Sequence, residues 1–210
     1  MKGILFQQWK SKAISESSPE REWQTRRLGR LKEINKEIEK WAFRKWEYPL
    51  TQKLSNLAGF FQREDGKQKV VKPHYKVSEV VYIKEAWAVG EQWDNKKPSE
   101  IDPLTAVWYP TENNVKPLWV GRLRSPLFLP EKFARYFIKI KAVRVERLQE
   151  ITEVDASREG FNYWEYDNPD AYADCPCLNQ FILFWNKTNP KYPFSSNPFV
   201  FVYSFVKETE

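Results

Sequence analysis

The sequence predicts a mainly β fold with a few peripheral helices, a small barrel with additions, and three observations carry that reading. Phe137 to Val145 alternates with period two over nine residues. Val80 to Val89 and Phe199 to Val206 are β-branched and aromatic runs of strand length. Helical spacing is confined to short stretches elsewhere.

The elements follow in order. Gly3-Ile4-Leu5-Phe6 reads as a short buried strand, followed by a helix through Trp9, Ala13 and Ile14 that Ser17-Ser18-Pro19 ends. Glu20 to Arg30 reads as a charged loop centred on Thr25. Leu31, Ile34, Ile38 and Trp41 recur at helical spacing among mixed charges, which predicts an amphipathic surface helix of about four turns ending before Pro49. Leu50 to Lys72 is polar and reads as loop with a short helix. Ala106 to Tyr109 and Val115 to Val120 read as strands after proline-bearing turns. Thr152 is placed to cap a helix, with Asp155 three residues on and Gly160 as its stop. Leu178 to Lys187 predicts a second late helix, and Tyr163 to Cys177 an acidic loop.

The chain has 210 residues, which suits one domain with a core of its own and needs no disulfide or structural metal for stability. Charged residues at 30% and hydrophobic residues at 41% exclude a disordered polyelectrolyte. No apolar run has the length of a membrane span, and the first residues are too short a run for a signal peptide, so a cytoplasmic protein with no membrane partner is expected. Aromatic residues reach 16%, which points to an aromatic β core or to rings on which bases stack. Net charge is +6 and uneven: residues 1–75 carry 17 basic against 9 acidic residues, residues 150–210 carry 4 against 10. The basic first third favours a polyanionic partner.

Cys175 and Cys177, with His74 a hundred residues away, complete no zinc site, so neither a metal nor another cofactor is expected. His74 has no Ser or Cys partner motif for triad hydrolysis.

Three pieces stand out together: Arg21-Glu22-Trp23-Gln24-Thr25-Arg26-Arg27, the strand Tyr82-Ile83-Lys84-Glu85-Ala86-Trp87, and Leu148 through Gly160. With Met1 to Phe6, Asn189-Pro190-Lys191-Tyr192-Pro193 and Ser196-Asn197-Pro198 in the same order, the sequence resembles the ASCH family. These are small barrels related to the PUA domains of RNA-modifying proteins, and the likeness is to the longer phage and prophage type. The resemblance covers most of the chain. It implies a single ASCH or PUA-like β-barrel over residues 1–210, with a helical insertion within 28–72 and a loop insertion within 161–178.

The family motif reads Gly-x-Lys-x-x-Thr-x-Arg. Its Thr falls on Thr25 and its Arg on Arg27, whereas Glu20 and Glu22 occupy the Gly and Lys positions. A compact bacterial branch removes the acyl group from N4-acetylcytidine with a Lys, a Thr and a Glu. The resemblance therefore implies Thr25 as nucleophile and Glu159 as its acidic partner, with no match for the Lys. A threonine hydroxyl needs a base, so Glu22 or Lys84 would have to serve.

The leading expectation is recognition of RNA, another single-stranded nucleic acid or a modified nucleoside in a basic, aromatic-lined cleft beside Thr25. Arg26, Arg27, Arg122 and Arg124 would hold phosphate, and Trp23, Tyr82 or Trp87 would offer a stacking face. Gln24 and Glu85 would read a base edge. The alternatives are an amidohydrolase on N4-acylated cytosine nucleosides and a phage accessory protein that docks a partner through the Leu31 to Trp46 helix.

Overall fold

A computed structural model describes residues 1–44, 58–62, 66–110, 115–161 and 176–209. The fold is mixed α+β. Five strands hydrogen-bond in the order β1 (Lys2–Leu5), β6 (Val80–Lys84), β7 (Phe137–Arg147), β8 (Phe199–Glu208), β2 (Trp23–Arg27), and three more form a separate sheet in the order β3 (Trp41–Arg44), β4 (Ala58–Gln62), β5 (Gln68–Val71). The five-stranded order is linear, so among the described residues the expected barrel does not close. The chain divides into two compact units interleaved in sequence: Met1–Arg21, Val80–Lys139 and Val206–Glu210 form one, Glu22–Glu79 and Ile140–Phe205 the other.

In the first unit, β1 (Lys2–Leu5) runs parallel to β6 (Val80–Lys84), with Gly3 opposite Tyr82. The approach is close: a Cβ at Gly3 would stand 2.7 Å from the Tyr82 ring, so a larger residue would have to push that ring aside. Helix α1 (Gln8–Glu16) follows and stops where the Ser17 hydroxyl donates to the Ile14 carbonyl at 2.8 Å, two residues before Pro19. The predicted strands at Ala106 to Tyr109 and Val115 to Val120 are not formed. Trp108 and Val120 make single bridges to Ala88 and Gly90, because Pro103, Pro110 and Pro117 break any longer ladder. Trp87, Val89, Ile101, Tyr109, Leu129 and Phe133 pack as this unit's core.

The second unit departs most from expectation. Trp23–Arg27 is a strand, β2, antiparallel to β8 (Phe199–Glu208), not a charged loop. Its arginines suit a buried strand because carboxylates further along the chain meet them. The predicted four-turn helix is one turn, α2 (Lys32–Asn35), flanked by short 3-10 turns. Leu31 and Ile34 are fully buried, which explains the apolar stripe. The helix stops because Asn35 turns its side chain to the Phe199 backbone, accepting at 2.8 Å and donating at 2.9 Å, and Glu37 leaves helical geometry. Trp41 then opens β3 (Trp41–Arg44), and β4 (Ala58–Gln62) and β5 (Gln68–Val71) replace the loop expected there. The partner-docking helix is therefore absent over its described length; Trp46 lies outside the described residues.

Strand β7 (Phe137–Arg147) matches the period-two reading and extends it by two residues. Helix α3 (Glu153–Arg158) has the expected cap: Asp155 N–H donates to Thr152 Oγ1 at 3.1 Å, and Gly160 leaves it at φ +103°. Helix α4 spans Pro176–Thr188. Glu153 caps it by accepting the Cys177 and Leu178 N–H groups at 2.8 and 2.9 Å. The unit's core joins Leu148, Ile151, Phe181, Trp185, Val200 and Val202. Most of the predicted acidic loop, with Cys175, lies outside the described residues. No helix among them is long and apolar enough to cross a membrane.

Candidate functional site

Strand β2 supplies most of the sequence-selected residues. Trp23, Gln24, Thr25 and Arg26 are all buried, and Trp23 is 0% exposed, so its ring offers no stacking face. Arg26 meets three carboxylates. Its Nη2 lies 2.8 Å from Glu146 Oε1 and 3.6 Å from Asp155 Oδ2, and its Nη1 lies 3.3 Å from Glu159 Oε1. Arg144 donates to Glu146 Oε2 at 2.9 Å, and Gln24 Oε1 accepts from Arg26 at 3.3 Å. A buried charge is tolerable only when paired in this way. The guanidinium expected to hold phosphate is thus ringed by carboxylates.

Arg27 follows on the same strand. Burial lowers its pKa from the ordinary arginine value, opposed by the charges of Glu159, Tyr75 and Tyr203. Thr25 pairs with Tyr203 across the β2–β8 ladder, and Glu159 closes α3, also buried. Glu22 is half exposed and faces Arg158 at 3.6 Å. Asp155, not selected from sequence, has its pKa lowered despite partial burial, because Thr152 and Gln24 hydrogen-bond it and Arg26 faces it.

The other selected residues belong to the first unit and are described there. Trp87 is fully buried, with Arg124 over its ring at 5.2 Å. Arg124 donates to the backbone carbonyls of Trp93 at 2.6 Å and Lys96 at 3.1 Å, which makes it a loop brace. Glu85 is buried in a two-point ion pair with Arg135, at 3.0 and 3.1 Å, so it presents no edge-reading carboxylate to solvent. Tyr82 is buried and donates to the Leu129 carbonyl at 3.2 Å; burial raises its phenol pKa. Lys84 donates to the Leu127 carbonyl at 2.9 Å. Arg122 is exposed, and its backbone N–H donates to Asp94 at 3.0 Å. From sequence, each of these residues is expected to face a ligand. Four of them, Tyr82, Lys84, Glu85 and Arg124, serve the fold because their polar side chains find internal partners, and Trp87 serves it as a fully buried ring.

A hollow appears elsewhere in the second unit. A cavity of about 280 Å³ lies among Trp41 and Phe43 of β3, Glu146 and Arg147 of β7, Glu150 and Phe199. Phe43 and Phe199 stand 6.4 Å apart between centroids, and the Arg147 guanidinium lies 4.5 Å from the Phe199 centroid. Lys69 of β5 lies 6.0 Å from the Trp41 ring. The walls are held firmly. Asn35 clamps Phe199, Gln149 N–H donates to Asn197 Oδ1 at 2.9 Å, and Arg147 N–H donates to Glu150 at 3.0 Å. Glu146 joins this hollow to the Arg26 cluster.

Trp41, Phe43, Arg147, Glu150 and Phe199 were missed from sequence. Trp41 falls in the predicted helical stripe, and Glu146 to Glu150 enter the sequence reading only through the family likeness. The period-two pair Trp41 and Phe43 was the available signal. No family model matches the chain, and comparison with curated proteins and with solved structures finds no match.

Proposed function

We propose that the protein recognises a planar, nucleobase-like ligand, as a nucleoside or within single-stranded RNA, and that it is an ASCH-type, PUA-like module of the cytoplasm. The single observation that carries this reading is the cavity walled by three aromatic rings beside one guanidinium. Ring walls give stacking to any base, and a guanidinium offers planar donors. A volume of about 280 Å³ is at the small end of ligand pockets and suits one base rather than a long oligonucleotide. Lys69, near the Trp41 ring, would supply a phosphate contact.

The test is isothermal titration with a set of nucleoside 5′-monophosphates at low and high salt. Binding that is weakened by Trp41→Ala supports the reading. A folded protein that binds none of them removes it.

An amidohydrolase is the second reading, supported by Thr25 and Glu159 belonging to one unit, with Arg26 beside Thr25 on β2 and 3.3 Å from Glu159. What it lacks is an amine to activate the hydroxyl.

A further inference from the structure

Arg147 and Glu150 are two of the polar residues that line the cavity. Arg147 Nη1 is buried and makes no hydrogen bond. Glu150 uses one oxygen, Oε2, to accept the Arg147 backbone N–H; its other oxygen accepts nothing among the described residues. Glu146, the third polar residue of the lining, is different, because Arg26 and Arg144 already engage both its oxygens. A buried donor without a partner is costly unless a ligand supplies the acceptor.

We infer that the cavity takes a 6-oxopurine base of the guanine type. The inference rests on the base-binding reading above and deepens it. Guanine carries an oxygen acceptor directly beside two N–H donors, a ring N–H and an amino group. Its carbonyl oxygen accepts from Arg147, the commonest guanidinium-to-base contact, and its two N–H groups donate to Glu150. Adenine places a ring acceptor where guanine has the ring N–H, so its lone pair faces the carboxylate. Uracil offers one N–H and no amino group. Cytosine has the amino group, but its neighbouring ring nitrogen is an acceptor. The rings of Trp41 and Phe43 stack any of the four, so the discrimination lies with Arg147 and Glu150.

The experiment titrates the full chain with GMP, IMP, AMP, CMP and UMP. GMP is expected to bind about ten-fold tighter than AMP, CMP or UMP, the worth of one charged hydrogen bond. IMP lacks only the amino group and is expected to fall between. This comparison alters the ligand, so it does not depend on a variant folding. Glu150→Gln, which keeps an acceptor for the Arg147 N–H, is expected to erase the gap between GMP and IMP. Equal binding of all five, or a preference for AMP, CMP or UMP, overturns the guanine inference and leaves base binding standing. No binding by any of the five overturns both. A GMP-containing trinucleotide tested beside GMP distinguishes a base read within a strand, which binds tighter, from a free nucleotide, which binds equally; either supports the inference.

Discussion

Arg26 Nη2 lies 2.8 Å from Glu146 Oε1, with the arginine side chain fully buried and the glutamate a tenth exposed. This pair ties β2 to β7, and Asp155 and Glu159 of the α3 region complete it. Arg26→Ala would remove the buried cation that all three carboxylates share, leaving only the more exposed Arg144 beside Glu146 and Asp155. The expected loss is about 3–5 kcal/mol, read from the urea midpoint. A loss under about 1 kcal/mol would mean that solvent reaches the cluster.

The same cluster predicts a pH response. The Asp155 carboxyl is held below its ordinary value, so its folded form binds a proton less readily than its unfolded form. The stability this contributes is present above the unfolded carboxyl pKa, about 3.9, and is lost as pH falls through the depressed folded value. Urea midpoints measured from pH 7 down to pH 2 are expected to drop below about pH 4. Asp155→Asn should lower the neutral-pH midpoint and flatten that acid limb.

Arg122 and Arg124 are two residues apart and should behave oppositely. Arg124 braces carbonyls of the 93–96 turn, so Arg124→Met is expected to cost about 2 kcal/mol of stability. Arg122→Ala, at an exposed position, should leave the melting temperature unchanged.

Burial and the Glu153 carboxylate raise the Cys177 thiol pKa to about 11. At pH 8 the folded protein with Cys175→Ser is expected to alkylate about a hundred-fold more slowly than the same chain in urea. Glu153→Ala should speed the reaction and cost about 1–2 kcal/mol, because two helix N–H groups lose their acceptor.

Thr25 is buried on β2, with no lysine at the motif position. N4-acetylcytidine incubated with the protein should keep its ultraviolet spectrum. Turnover that Thr25→Ala abolishes would instead make the chain a hydrolase.

Much of the fold is legible in the sequence. Period-two alternation located β7, β-branched runs located β6 and β8, and the Thr152, Asp155 and Gly160 punctuation located α3, since each signal is local in the chain. Spacing failed where a distant partner decides conformation. Leu31, Ile34, Ile38 and Trp41 suit a helix, but Asn35 holds the Phe199 backbone far along the sequence and ends it. Trp23 to Arg27 looked like solvated loop because nothing local reveals that Glu146, Asp155 and Glu159 will surround Arg26.

Residue order by itself determined a strand-dominated α+β chain with a basic beginning and an acidic end. Only the tertiary structure decided which charges are spent inside the fold. Arg26, Arg124 and Glu85 find internal partners, whereas Arg147 Nη1 is left without one beside three rings. Ion pairing and desolvation depend on distances between segments far apart in sequence, and no local pattern encodes those distances.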